Sequence, residues 1–306
     1  MPAGDGMRPP TAAARRHDVP VPAPGFPASR RFGRLARKYS FTGRVLTECQ
    51  VWRLSRRGGA PEFSVCQALA VSGSTAVDVG ASVGNFTRGL AKAVGRHGRV
   101  IALEASPGVY EELIRSTWGA RVVALNLAAS SGPGWAELSV PVDGRGTHDQ
   151  LGTLERRATG RVQATTIRTV RVDDLLGTDR PVSVIKIDVE GHEAEVIAGA
   201  AETLERHRPA LVVEIEQRHL VGRSVSDVVE SVLDRGYVCY GLRGRALVAW
   251  SEFDLVRDQL SWLGDRGDLA ASIITDAGRY INNFVFLPVS RADAAVADLN
   301  HVLRER

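Results

Sequence analysis

The stretch TAVDVGASVGNFTRGLAKAVGRHGRVIALEASP, residues 75–107, decides the fold. It begins with TAVDVG, an apolar run ending in glycine, as a strand buried on both faces does. NFTRGLAKAVGRHG follows, with Phe86, Leu90 and Val94 on one helical face and Gly95 and Gly98 as stop signals. RVIALEASP is then a second apolar strand. Strand, helix and strand in quick succession make one crossover unit of a parallel sheet.

Outward from this unit the alternation continues. PGVYEELIRSTWG reads as the second helix, with Pro107 in its first turn, and RVVALNLAAS as the third strand. Residues 131–172 break the rhythm, because WAELSV and ATTIRTVRVDDLL alternate in the manner of antiparallel strands. PVSVIKIDV resumes the main sheet, and the helix EAEVIAGAAETLERH presents Val196, Ile197, Ala200 and Leu204 on one face. RPALVVEIE is the fifth strand and SVSDVVESVLDRG its helix, with Ser224 as N-cap. YVCYGL and INNFVFLPV form a closing pair. The expected architecture is α/β, a doubly wound and mostly parallel sheet with a small β insert. Residues 1–30 read as a disordered basic tail, 31–70 as a helical N-terminal lid, 71–290 as the main domain and 291–306 as a C-terminal helix.

Composition narrows the function classes. The 306 residues are 44% hydrophobic, enough for a full core, and no apolar run is long enough to span a membrane. The N-terminus lacks the apolar segment of a secretory signal. Cys49, Cys66 and Cys239 are widely spaced, which argues against a disulfide framework or zinc site and fits a reducing cytoplasm. Residues 1–60 carry twelve basic side chains against three acidic ones, making +9, so the rest carries −5 to reach the total of +4. A basic arm favours an anionic partner. However, Lys38, Lys92 and Lys186 are the only lysines, an Arg-for-Lys bias that fits a GC-rich genome, and a nucleic-acid partner is not expected.

In a doubly wound sheet, ligands bind beyond the carboxyl ends of the strands. The first strand ends in VDVGASVGN, where Gly80 permits a tight turn and Gly84 lets the helix pack against the strand. A dinucleotide fingerprint would place a third glycine at position 82, which is Ser82 here, so a nicotinamide-dependent oxidoreductase is disfavoured. The second strand ends in Glu104, an acidic group suited to accepting both hydroxyls of a ribose. Together these point to an adenosine ligand without a diphosphate, a description that S-adenosylmethionine meets.

TAVDVGASVGNFT, VIALEASP, IKIDVEGHEAEVIAGA and RPALVVEI, in this order, resemble the signature of the FkbM-type S-adenosylmethionine-dependent methyltransferases, over roughly residues 70–290. The resemblance implies a seven-stranded sheet whose last strand runs antiparallel, and methylation of hydroxyl oxygens on sugars and natural products. By motif matching, Asp78, Gly80, Ser82, Gly84, Asn85, Glu104, Ala105, Asn126, Ala128 and Asp188 are expected around the cofactor. Ser82 departs from the Asn of the family's D-V-G-A-N-x-G and leaves one cofactor hydrogen bond unassigned.

The fourth strand and its exit, IKIDVEGHE, carry the remaining titratable groups. An alcohol must shed its proton to be methylated, and its pKa lies far above 7. His192 is the expected general base, oriented by Asp188 or Glu190 once Gly191 bends the chain. A second chemistry uses Asp188, Glu190 and Glu214 as oxygen ligands for a divalent ion that lowers the hydroxyl's pKa; the metal-free base is preferred. Lys186, two residues before Asp188, is expected to pair with Asp188 or Glu214. An RNA ribose methyltransferase would need a second active-site lysine, and a nitrogen-directed enzyme a D/N-P-P-Y-like motif in place of DVEG. A non-catalytic nucleoside-binding module is the remaining alternative. His219 reads as a surface-loop histidine, with the acceptor pocket as its other reading.

Overall fold

The structure, a computed structural model, describes residues 60–143, 146–147, 152–155, 162–263 and 278–305. The expected tail, most of the expected lid and Cys49 lie outside the described residues. Within the deciding stretch, β1 (Thr75–Val79) is joined through the helix Asn85–Val94 to β2 (Arg99–Leu103). The two strands pair in parallel, with Val77 opposite Ile101. All five residues of β1 are buried, as the absence of a polar face in its sequence requires.

Ten further strands complete two sheets: β3 (Val122–Leu125), β4 (Ala128–Ala129), β5 (Gly134–Asp143), β6 (Gly146–Thr147), β7 (Val162–Val170), β8 (Val182–Ile187), β9 (Ala210–Glu214), β10 (Tyr237–Arg243), β11 (Ala246–Ala249) and β12 (Asn283–Pro288). The large sheet has the order β11-β10-β12-β9-β8-β1-β2-β3. β12, the last strand, runs antiparallel to both β9 and β10. Seven of these strands are the ones expected. The eighth, β11, closes the edge as a hairpin on β10, turning at Gly244 with φ +56°. The insert forms its own sheet, in which β5 and β7 pair antiparallel over eight residues of each and the short β4 pairs parallel with β7.

Helices cover both faces of the large sheet, which separates two apolar clusters. One gathers Val77, Ile101, Ile185, Val196, Leu204 and Phe284; the other gathers Val65, Leu90, Val100, Val184, Val212 and Leu299. The helix Pro61–Leu69 lies in the segment read as the end of a lid, but its Phe63, Val65 and Cys66 are buried in the domain. Phe63 reaches Phe86 edge-on at 5.3 Å. Cys66 and Cys239 are free and buried.

The segment expected to form one helix over EAEVIAGAAETLERH forms two, Glu193–Ala198 and Ala201–His207. The break falls where Gly199 meets the backbone of Ser130: a Cβ there would stand 2.0 Å from the Ser130 carbonyl oxygen. Asp173 then caps the second piece, accepting the N–H groups of Glu202 at 3.1 Å and Thr203 at 2.8 Å. Val196, Ile197, Ala200 and Leu204 remain buried, so the apolar face survives the interruption. Ser224 is the expected N-cap: its hydroxyl accepts the Asp227 N–H at 3.2 Å, and Asp227 accepts the Ser224 N–H at 2.6 Å.

Candidate active site

The chain runs from β1 to β2 and β3 on one side and returns to β8 and β9 on the other, so the carboxyl ends of β1 and β8 flank the switch point. Gly80 takes φ +74° there, and a Cβ would stand 1.8 Å from the carbonyl oxygen of Asp188. Glycine is required because two strand ends touch, before any ligand is considered. Gly84, with φ +93°, meets the helix Pro107–Thr117 through Ser116 and Leu113 and not the strand that the sequence reading assigned to it.

Glu104 is nearly buried and tightly held. Its Oε2 accepts the Ser82 N–H and its Oε1 the Ser106 N–H, both at 2.8 Å. Burial raises its pKa, with the two N–H groups opposing. A carboxylate has about four lone-pair sites, which leaves about two facing outward. Ser82 adopts φ +49°, and the bond its backbone makes to Glu104 fixes the turn. Asn126 donates from Nδ2 to the carbonyls of Glu104 at 2.8 Å and Ala105 at 3.0 Å, tying the end of β3 to the end of β2.

The acidic bend after β8 resolves into separate pairs. Lys186 is buried and donates to Asp188 Oδ2 at 3.0 Å, with its ammonium 4.5 Å from the centre of the Phe86 ring. Burial works to lower the Lys186 pKa, but Asp188 and Asp78 outweigh it and hold the ammonium charged. Glu190 takes φ +55° and pairs with His219 Nδ1; His219 is buried, which corrects its surface-loop reading. Gly191 follows with φ +108°, and a Cβ on it would meet the His219 carbonyl oxygen at 2.3 Å. His192, its side chain 12% exposed, is oriented neither by Asp188 nor by Glu190. Its Nδ1 lies 2.9 Å from Glu155 Oε1 and its Nε2 3.0 Å from Ser130 Oγ.

Beyond β9, Asn282 Nδ2 donates to Glu214 at 2.9 Å and to Glu216 at 3.3 Å. Burial, with Asp188 and Glu216 nearby, pushes Glu214 well above the usual carboxylate range. Burial opposes the Glu216 charge too, but Arg218 and the Tyr280 hydroxyl, 2.6 Å away, outweigh it and hold that carboxylate ionised. Asp188, Glu190 and Glu214 thus each face a different partner. Among the described residues no three His, Cys, Asp or Glu side chains are grouped to hold a metal ion.

One cavity of about 280 Å³ opens at these strand ends. Its wall includes Gly80, Ser82, Glu104, Ala105, Ala128 and Asp188 of the expected cofactor set, together with Glu190, His192 and Glu214. The insert contributes Leu138, Gly152 and Leu154. Asp78, Gly84, Asn85 and Asn126 do not line it. Asp78 is fully buried behind it, its Oδ2 accepting from the Thr87 hydroxyl at 2.6 Å, which ties β1 to the helix Asn85–Val94. Lys92 is exposed on its helix and away from the cavity, leaving Lys186 as the lysine at the site among the described residues. Ser130 and Glu155 escaped the sequence reading. Ser130 ends the stretch read as the third strand and Glu155 lies between the two alternating runs of the insert, where no spacing marks them.

A doubly wound sheet with a glycine turn after β1 and a carboxylate closing β2 defines a class of α/β proteins whose ligand crevice lies at the switch point. Within it, the chain belongs to the FkbM methyltransferase family: the family model described as Methyltransferase FkbM domain matches residues 78–239, more than half of the chain. Among solved structures, the methyltransferase FkbM from Methylobacillus flagellatus KT is similar at 18% identity, with a TM-score of 0.40. That match covers 70% of this chain but only 43% of the other, so this chain spans less than half of its length. A TehB-like SAM-dependent methyltransferase from Corynebacterium glutamicum ATCC 13032 Kitasato matches at 14% identity and TM-score 0.40, over 84% of this chain and 99% of the other. Aeropyrum pernix fibrillarin, solved with natively bound S-adenosyl-L-methionine, matches at 11% identity and TM-score 0.38, over 82% and 76%. No curated protein matches the sequence. No helix of the described residues is long and apolar enough to cross a membrane.

Proposed function

We propose that the protein is an S-adenosylmethionine-dependent O-methyltransferase acting on a hydroxyl of a sugar or other small natural product. The observation that carries this reading is that Glu104 and the acidic bend, through Asp188 and His192, wall a single cavity. The residues present fit the donor. The two outward lone-pair sites of Glu104 suit a vicinal diol such as a ribose 2′,3′ pair. Gly80, Ala105 and Ala128 offer small or backbone surfaces that a flat base and a thioether can lie against. When bound, the donor supplies an electrophilic methyl on a sulfonium.

The chain's own residues do the rest. Asp188, fixed by Lys186, presents a carboxylate at the carboxyl end of β8, where positive charge on a ligand is stabilised. His192 lines the same wall and takes the acceptor's proton, the pair of the O–H bond staying on oxygen. Leu138 and Leu154 close the insert side with apolar surface and exclude water from the acceptor. The test is a calorimetric titration with S-adenosylhomocysteine. Binding at micromolar concentration is expected, weakened about 10- to 100-fold in Glu104→Gln, since hydrogen bonds to a charged group contribute about 1.5–3 kcal/mol. A wild-type protein that gives no heat of binding overturns the reading.

A further inference from the structure

We propose that Glu155, which belongs to the insert and not to the large sheet, is a positioning residue that decides which nitrogen of His192 is basic. The inference rests on the reading of His192 as the proton acceptor. It starts from the two contacts that the imidazole makes, Nδ1 to Glu155 Oε1 at 2.9 Å and Nε2 to Ser130 Oγ at 3.0 Å. A carboxylate only accepts hydrogen bonds, whereas a serine hydroxyl can donate. The arrangement satisfied at both ends puts the hydrogen on Nδ1 and leaves the lone pair on Nε2, where the Ser130 hydroxyl donates to it. The proton of an acceptor hydroxyl then ends on Nε2, directly or by way of Ser130, and Glu155 stabilises the imidazolium that results.

Glu155 is held for this task by its own segment. Thr153 is buried, and its hydroxyl donates to the Glu190 carbonyl at 2.7 Å while accepting the Glu155 N–H at 3.0 Å. Its backbone exchanges bonds of 2.8 and 3.0 Å with Ser139 of β5. Leu154 packs against the insert's apolar cluster of Ala128, Leu138, Val140 and Ile167. The Glu155 stem lies over the bend itself, 3.3 Å from where a Gly191 side chain would begin. The other titratable groups on the bend and helix of His192 have other partners: Asp188 with Lys186, Glu190 with His219, Glu193 with the Gly191 N–H and Glu195 with Arg223. None of these contacts a ring nitrogen of His192, so the tautomer is assigned to Glu155.

The experiment uses the full chain labelled with ¹⁵N-histidine, the His192 signals being assigned by their loss in His192→Ala. Long-range ¹H–¹⁵N spectra distinguish the two neutral tautomers. The wild type is expected to show His192 protonated at Nδ1. In Glu155→Gln, whose side chain can donate as well as accept, a mixture with the Nε2–H form is expected. In Glu155→Asp the Nδ1–H form should return. In methyl-transfer assays Glu155→Gln should lower kcat at least about tenfold with the KM for the methyl donor nearly unchanged. A wild-type His192 protonated at Nε2, or a Glu155→Gln protein with unchanged tautomer and kcat, overturns the proposal. A wild type with the expected tautomer that gives no heat of binding with S-adenosylhomocysteine overturns the proposed function instead, so the two failures are told apart.

Discussion

Glu193 begins the helix after the acidic bend, and its side chain is 2% exposed. Oε1 accepts the Gly191 N–H at 2.9 Å, while Oε2 has no hydrogen-bond partner among the described residues. A buried carboxylate satisfied at one oxygen is costly to ionise. Burial raises its pKa from 4.5 to about 7, with Asp188 and Glu190 adding to the rise and the Gly191 N–H opposing it. The folded protein therefore holds this proton more tightly than the unfolded chain does. The resulting stabilisation is complete below about pH 4.5 and is lost as the pH climbs through about 7. Each tenfold in proton affinity corresponds to about 1.4 kcal/mol, so about 3 kcal/mol is at stake. Glu193→Gln keeps an oxygen for Gly191 and cannot ionise. Urea unfolding of both proteins at intervals from about pH 4.5 to about pH 8 measures the difference, in which carboxylates common to both cancel. The variant should gain about 3 kcal/mol on the wild type across that window. A difference that stays flat refutes the reasoning that this carboxylate is protonated because it is buried and half satisfied.

Two further substitutions probe the backbone and the chemistry. Gly80→Ala combines a positive φ with a Cβ 1.8 Å from the Asp188 carbonyl oxygen and should cost at least about 3 kcal/mol, read as a fall in Tm; an unshifted Tm would show that the β1–β8 approach is not rigid. His192→Ala should reduce kcat about 10²- to 10⁴-fold while S-adenosylhomocysteine still binds, and a variant as fast as wild type removes the imidazole from the reaction.

The sheet was legible because its signals are local. A buried parallel strand must be apolar throughout, a covering helix must repeat near 3.6, and Gly80 and Gly95 punctuate the turns, so TAVDVG through VIALEASP could be read without the rest of the chain. Glu104 and Asp188 were legible for a related reason: in a doubly wound sheet the residue at a strand's carboxyl end faces the switch point whatever the loops do. Where the reading went astray, the deciding contact came from elsewhere. The helix after Glu193 breaks because Gly199 meets Ser130, and Glu190 turns to His219 because Gly191 lies against that residue's carbonyl. Glu155 meets His192 from 37 positions away, from a link between the insert's two strands that carries no period of its own. The sequence by itself determined the layers, the strand ends and the family. Only the tertiary structure decided which acid serves which base, because pairing depends on distances between segments that no local pattern encodes.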